Sequence, residues 1–146
     1  MKNLQQLHYK ATLADAHQLE PADVLVVPKS GINLIKHMII YAGVDAQQNH
    51  WYLENNPHYG VRWISGDYVD QTYSSPQVRL FSGTATQRIE AIQRGKSLLG
   101  RPYHLTKFNC EHYANFIQTG AFFSPQSNKG IGIAALGLTA LLLSKL

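Results

Sequence analysis

The sequence predicts an α+β domain in which a small antiparallel β-sheet packs against helices, and three observations carry that expectation. Between Val24 and Phe81, short runs rich in β-branched and aromatic residues alternate with turns made of Gly, Pro and Asn. After Gly83 the spacing of apolar residues lengthens to that of a helix. At Asn109-Cys110 a favoured N-cap residue opens a second helical stretch.

Residues 1–20 read as a polar lead-in to which no element is assigned. Pro21-Ala22-Asp23 is turn-like and leads into Val24-Leu25-Val26-Val27, a buried strand, which Pro28 to Ile32 then breaks. His37 to Gly43 is a second strand and Asn49 to Asn55 a third. Asn56-Pro57-His58-Tyr59-Gly60 is a turn, Val61 to Ile64 a fourth strand, and Gln77 to Phe81 a fifth. Thr84 to Thr86 offer N-caps for a helix carrying Ile89, Ile92, Lys96 and Leu99, stopped by Gly100-Arg101-Pro102. Cys110 to about Gln118 forms the next helix, closed by Gly120.

The end of the chain has a different character. After a polar linker, 124–129, the segment 130–146 contains fourteen uncharged, almost wholly apolar residues, Gly130 to Leu143. As a helix, fourteen residues span about 21 Å, short of a hydrocarbon core of ~30 Å. With no polar stripe to face water, this apolar C-terminal helix is expected to seek a membrane, with packing against protein as the alternative.

The 146 residues suit one domain with a single core, and 45% apolar against 15% charged residues excludes a disordered chain. Charge is uneven: residues 1–78 hold five Lys/Arg and seven Asp/Glu, residues 79–146 eight and two. With no adjacent Lys/Arg pair and no aromatic-interleaved basic motif, nucleic acid is not an expected partner. One cysteine rules out an internal disulfide, and Met1 to Lys10 contains no apolar core of signal-peptide length. The expected location is therefore intracellular and, through the tail, membrane-associated. None of the seven histidines falls in a His-Glu-x-x-His pattern, and neither a metal nor another cofactor is expected.

The chemistry concentrates at Phe108-Asn109-Cys110-Glu111-His112-Tyr113. With Asn109 as N-cap, Cys110 is the first helical residue, and Phe108 and Tyr113 occupy the two positions of a hydrophobic staple. A helix N-terminus favours the thiolate, the nucleophilic form of cysteine. Its base must be a histidine. His112, two positions away, faces elsewhere on a helix. His104, in a loop, and His37, at the start of an apolar strand, both remain open on spacing alone. Trp51, Trp63 and Tyr59 read first as hairpin packing and second as walls of a lipid groove near the site.

Asn109-Cys110-Glu111-His112-Tyr113, ending in Gly120, resembles the Asn-Cys-Glu-His-aromatic motif of the lecithin:retinol acyltransferase-like domain, a permuted relative of the papain-like (NlpC/P60) fold. Pro21-Ala22-Asp23-Val24 and His37-Met38-Ile39-Ile40-Tyr41-Ala42-Gly43 are similar to its Pro-Gly-Asp and His-x-x-(Ile/Leu)-Tyr-x-Gly segments, and Leu98 to Tyr103 to the helix end before the cysteine loop. The resemblance covers about Pro21 to Gly120, so the catalytic domain is set at 21–123. It implies Cys110 as nucleophile and His37 as general base. The family's third polar residue, often histidine, corresponds to Glu54, or to Asn55 or Asn56 after a shift of one or two residues. It further implies acyl transfer from a phospholipid, through a Cys110 thioester, to water or another acceptor at a membrane surface. A cysteine peptidase or amidase of the NlpC/P60 type, or a non-catalytic membrane-tethered adaptor, are the alternatives. A Cys/His site of this kind is expected to show an activity limb below about pH 7 that depends on His37.

Overall fold

The computed structural model describes residues 11–29 and 32–125. Its centre is a five-stranded antiparallel sheet: β1 (Val24–Lys29), β2 (Ile32–Val44), β3 (His50–Asn56), β4 (Gly60–Ser65) and β5 (Gln77–Arg79). The strands lie in the order β4-β3-β2-β1-β5, a four-stranded meander with β5 added at the edge beside β1. The alternation of side chains along each strand gives the sheet two apolar faces. Val24, Met38, Ile40, Leu53 and Val61 face one way and pack under α3 (Ala85–Lys96) and α4 (Cys110–Thr119). Leu25, Val27, Ile39, Tyr41, Tyr52 and Ile64 face the other way, where Ala14 of α1 (Leu13–Ala16) and Val69 of α2 (Gly66–Thr72) cover them. Fully buried Tyr113 and Ile117 anchor α4, each worth ~1.5–3 kcal/mol of removed apolar surface.

The five expected strands and two of the three expected helices are present, the third falling outside the described residues, and the α+β class stands. Two details differ. Pro28 does not end β1; the strand runs through it to Lys29, with the register against β2 slipping between these two residues, an irregularity that suits a proline. β2 correspondingly begins at Ile32, five residues before the expected start. The short helices α1 and α2 were not expected. Each is too brief to display an apolar period: α2 buries only Gly66 and Val69. Residues 126–146, with the apolar segment, lie outside the described residues; among the latter, no helix is long and apolar enough to cross a membrane.

The connection from α3 to α4 is tied to the edge of the sheet. The Val61 amide donates to the Arg101 carbonyl (3.0 Å), and the Gly100 amide donates to the Val61 carbonyl (2.9 Å). The adjoining turn closes at Asn56↔Gly60, with Gly60 at φ +67°, where a Cβ would run into the Arg101 backbone. This docking fixes where the loop preceding α4, and therefore Cys110, emerges beside the sheet.

Candidate active site

α4 starts as its sequence dictates. The Asn109 side-chain oxygen accepts from the amides of Glu111 and His112 (3.0 Å each), and the Asn109 amide donates to His112 Nδ1 (3.2 Å). His112 is thus a capping side chain, its Nδ1 lying 3.2 Å from the Asn109 amide and 2.9 Å from Asn109 Oδ1, and burial lowers its pKa. The Phe108 and Tyr113 rings meet edge to face at 6.2 Å, forming the staple, and Gly120 closes the helix at φ +79°. Cys110 is the first residue of the helix, 8% exposed, with Sγ 3.7 Å from the Lys36 carbonyl of β2.

His37 comes from the same stretch of β2. The ladder between β2 and β3 ends at Ile39↔Glu54, and His37 lies just beyond this last pair, on the side of the sheet that Ile39 and Glu54 share. Its Nε2 is 2.7 Å from Glu54 Oε2, both side chains being buried. Cys110, whose Sγ meets the carbonyl of the adjacent Lys36, is close enough to favour the charged form of this imidazole. Because Glu54 occupies Nε2, Nδ1 is the nitrogen left for sulfur. Burial alone lowers the imidazole pKa, but the hydrogen bonds and charges of Cys110 and Glu54 together outweigh it and raise His37 to about 9.

Glu54 is fully buried, and its second oxygen explains how a carboxylate survives there. Oε1 accepts from Arg62 Nε at 2.7 Å, so the carboxylate bridges two cationic groups. Burial pushes its pKa up, yet His37 and Arg62 pull harder, and the net direction is down. Arg62 in turn lies over the exposed Tyr59 ring, 4.2 Å from its centroid. Tyr73 packs beside His37 at 6.3 Å between ring centroids. Burial and the charge of Glu54 hold the Tyr73 hydroxyl up at about 12, and burial with Cys110 does the same for Tyr103, so both stay protonated next to the site.

The structure therefore brings Cys110, His37 and Glu54 together and leaves the other candidates elsewhere. His104 is exposed, and its Nδ1 accepts from the Lys107 amide (3.2 Å) within its own loop. Asn55 points to the opposite face and donates to the Phe108 carbonyl (2.9 Å). Asn56 touches only the far oxygen of Glu54, at 3.4 Å. Trp51 and Trp63 do not line a groove at this site, contrary to the secondary expectation. They pack on each other at the other end of β2 and β3, and Tyr59 is taken up by Arg62. Arg62 was missed by sequence reasoning, although a signal existed: closing the hairpin at Asn56↔Gly60 forces Arg62 opposite Glu54. Among the described residues there is no cluster of three metal-ligating side chains.

Compared with curated proteins, the chain is 39% identical over 64 residues to Phospholipase A and acyltransferase 3 of Mus musculus, a lecithin:retinol acyltransferase-domain protein. The matched stretch covers 37% of this chain and 40% of that relative. No family model matches the chain, and no solved structure matches it.

Proposed function

From this partial kinship with the lecithin:retinol acyltransferase-like family, we propose that the chain transfers acyl groups from phospholipids through a thioester on Cys110. The observation that carries the reading is His37, held by the Glu54 carboxylate at 2.7 Å, next along β2 to Lys36, whose carbonyl meets Cys110 Sγ at 3.7 Å. A positioned imidazole with an orienting carboxylate on one nitrogen and a thiol on the other is the arrangement nucleophilic acyl transfer needs. The same reading takes the chain order, base strand first and nucleophile helix last, as the permuted form of a papain-like fold.

The proposed reaction has two halves. The Cys110 thiolate attacks the ester carbonyl carbon and a C–S bond forms. The tetrahedral intermediate collapses with loss of the C–O bond, and the imidazolium of His37 gives its proton to the departing alkoxide. In the second half, water or another acceptor loses a proton to the now neutral His37 and attacks the thioester, releasing the acyl product and the thiolate. Asn109 already engages the amides of Glu111 and His112, so the donor that α4 contributes to the oxyanion is the amide of Cys110 itself. Glu54 keeps the reactive tautomer of His37 and stabilises its charged form.

A lipid substrate is supported by what surrounds the nucleophile. Leu105 (71% exposed), Phe122 and Phe123 present apolar side chains around the start of α4, with Arg101 and Lys107 among them and no acidic residue from 101 to 110. That mixture suits an anionic lipid interface. In this reading the apolar segment 130–146 tethers the domain to the bilayer and raises the local substrate concentration.

Intact-mass spectrometry after brief exposure to phosphatidylcholine vesicles tests the proposal. The wild type should gain one acyl mass, labile to hydroxylamine, and Cys110→Ser should not; His37→Ala should acylate far more slowly. A well-folded wild type that shows neither adduct nor released fatty acid with several head groups overturns the proposal, leaving amidase chemistry or an adaptor role.

A further inference from the structure

Trp51 lies opposite Gly43, six residues along the sheet from His37 and about 20 Å away at ~3.3 Å per residue; Trp63, opposite Leu53, lies three residues along and two strands across, on the opposite face from His37, and the chemistry above makes no use of either. Both project from the face that α3 and α4 cover further along, since Leu53 and Val61 share their sides of β3 and β4. Their rings stand almost perpendicular, 85° apart with centroids at 6.5 Å. With Ala42, Gly43, Val44 and Asp45 they line a concavity of about 500 Å³. Trp63 is 38% and Val44 48% exposed, so this corner opens to solvent.

Two indole faces at a right angle form two walls of a cage for a cation, because each face carries the negative lobe of the ring quadrupole. Asp45 supplies a full negative charge at the rim. Its oxygens are already engaged: Oδ2 accepts from Trp51 Nε1 (2.9 Å) and Asn49 Nδ2 (3.1 Å), and Oδ1 from the amides of Gln47 and Asn49 (2.9 Å each). These four donors also hold the carboxyl ionised, down to about 2, with the Trp51 indole the largest cause. The site therefore offers charge and aromatic surface but little spare acceptor capacity. A primary ammonium brings three N–H donors that need acceptors; a quaternary ammonium brings none.

We propose that the corner of Trp51, Trp63 and Asp45 binds a quaternary ammonium group, such as that of choline. The site is separate from Cys110 and does not depend on the catalytic reading. Two sources carry this chemistry, a choline head group and a trimethylated lysine side chain.

The test is a titration of the full chain followed by its indole fluorescence and by NMR shifts of the two indole N–H groups. The ligands are choline, its uncharged isostere 3,3-dimethylbutan-1-ol, and ethanolamine. Choline should bind in the millimolar range and the isostere and ethanolamine at least about fivefold more weakly, as expected if one cation–π face is worth about 1 kcal/mol. Trp63→Leu, which keeps apolar bulk, and Asp45→Asn, which keeps an acceptor at Oδ1, should each weaken choline binding by a similar factor. Cys110→Ser should bind choline as the wild type does. Glycerophosphocholine against trimethyl-lysine then separates the two sources. Equal binding of choline and its isostere would show a merely apolar pocket, and choline binding unchanged in Trp63→Leu would place it elsewhere. Either result, or no indole response to choline in the folded wild type, overturns the proposal.

Discussion

Glu54→Gln is the most informative single substitution, because it removes the charge and keeps the shape and the acceptor for His37, at the loss of the acceptor for Arg62 Nε. The amide keeps the volume of the carboxyl and an oxygen to accept from His37 Nε2. What disappears is the attraction between a carboxylate and an imidazolium in contact at 2.7 Å. With charge centres about 4 Å apart and an effective dielectric constant near 20, that attraction is ~4 kcal/mol, or roughly 3 pKa units. Arg62, left facing His37 without the intervening charge, adds to the fall, whereas the remaining thiol contact resists it. His37 should therefore drop from about 9 to about 7 or below.

An NMR titration of the imidazole carbon shifts reads this directly, with His37→Ala identifying the resonance among the seven histidines. A pH–rate profile supplies the functional counterpart. His37 must be protonated to give its proton to the leaving group, so activity falls as pH rises through its pKa, near 9 in the wild type and near 7 in the variant. For the proposed reaction this differs from the expectation from sequence, a His37-dependent limb below about pH 7: with the proton held on by a buried carboxylate and Cys110, the limb is expected on the alkaline side. A folded Glu54→Gln protein, checked by near-UV circular dichroism, whose His37 still titrates near 9 would refute the view that the Glu54 charge sets this pKa.

Stability should follow the same groups. His37 binds its proton more tightly in the folded state (about 9) than at its ordinary 6.5, so its contribution is complete below about 6.5 and lost as pH rises through 9. Urea midpoints should fall between pH 7 and pH 10 by an amount equivalent to about 3 kcal/mol at most, and the fall should shrink in His37→Ala. Glu54, whose pKa is lowered, acts oppositely: its contribution is present above the ordinary carboxyl value and is lost as pH falls through its folded value. Asn109→Ala removes an acceptor for two amides and should cost about 1–2 kcal/mol in urea denaturation, while Asn109→Asp should retain most of that. Gly60→Ala puts a side chain at positive φ against the Arg101 backbone, and melting should show a loss of at least about 2 kcal/mol together with reduced activity.

The sheet and the start of α4 were legible because each announces itself locally. The β-branched runs around Val24 and Ile39 show their period, and Asn109, Phe108 and Tyr113 fall in the cap and staple positions before any tertiary contact is considered. Cys110 could thus be placed on its helix from sequence. Choosing His37 over His104 could not be done on spacing, since both lie far from Cys110 along the chain or in an irregular loop; the family resemblance made that choice, and the structure places His37 against Glu54 and His104 within its own loop. Arg62 was hidden for a different reason. A lone arginine in a strand reads as a solvated side chain, and only the register across the Asn56↔Gly60 hairpin shows that it meets a buried acid.

That pairing bears on how a buried carboxylate can stand beside His37. A buried Glu54 alone would leave the site, with a Cys110 thiolate and a protonated His37, one negative charge in excess. In a poorly solvated environment this would bind the imidazole proton still more tightly, and an imidazolium that cannot release its proton is no use as an acid. Arg62, at 2.7 Å from the other oxygen and 30% exposed, balances that charge from the rim of the site. Arg62→Met should therefore raise the pKa of His37 while Glu54→Gln lowers it, a pair of opposite shifts that a purely structural role for either residue would not produce. If both substitutions move His37 the same way in the NMR titration, the four groups do not behave as one balanced cluster, and Arg62 does not offset the charge of Glu54.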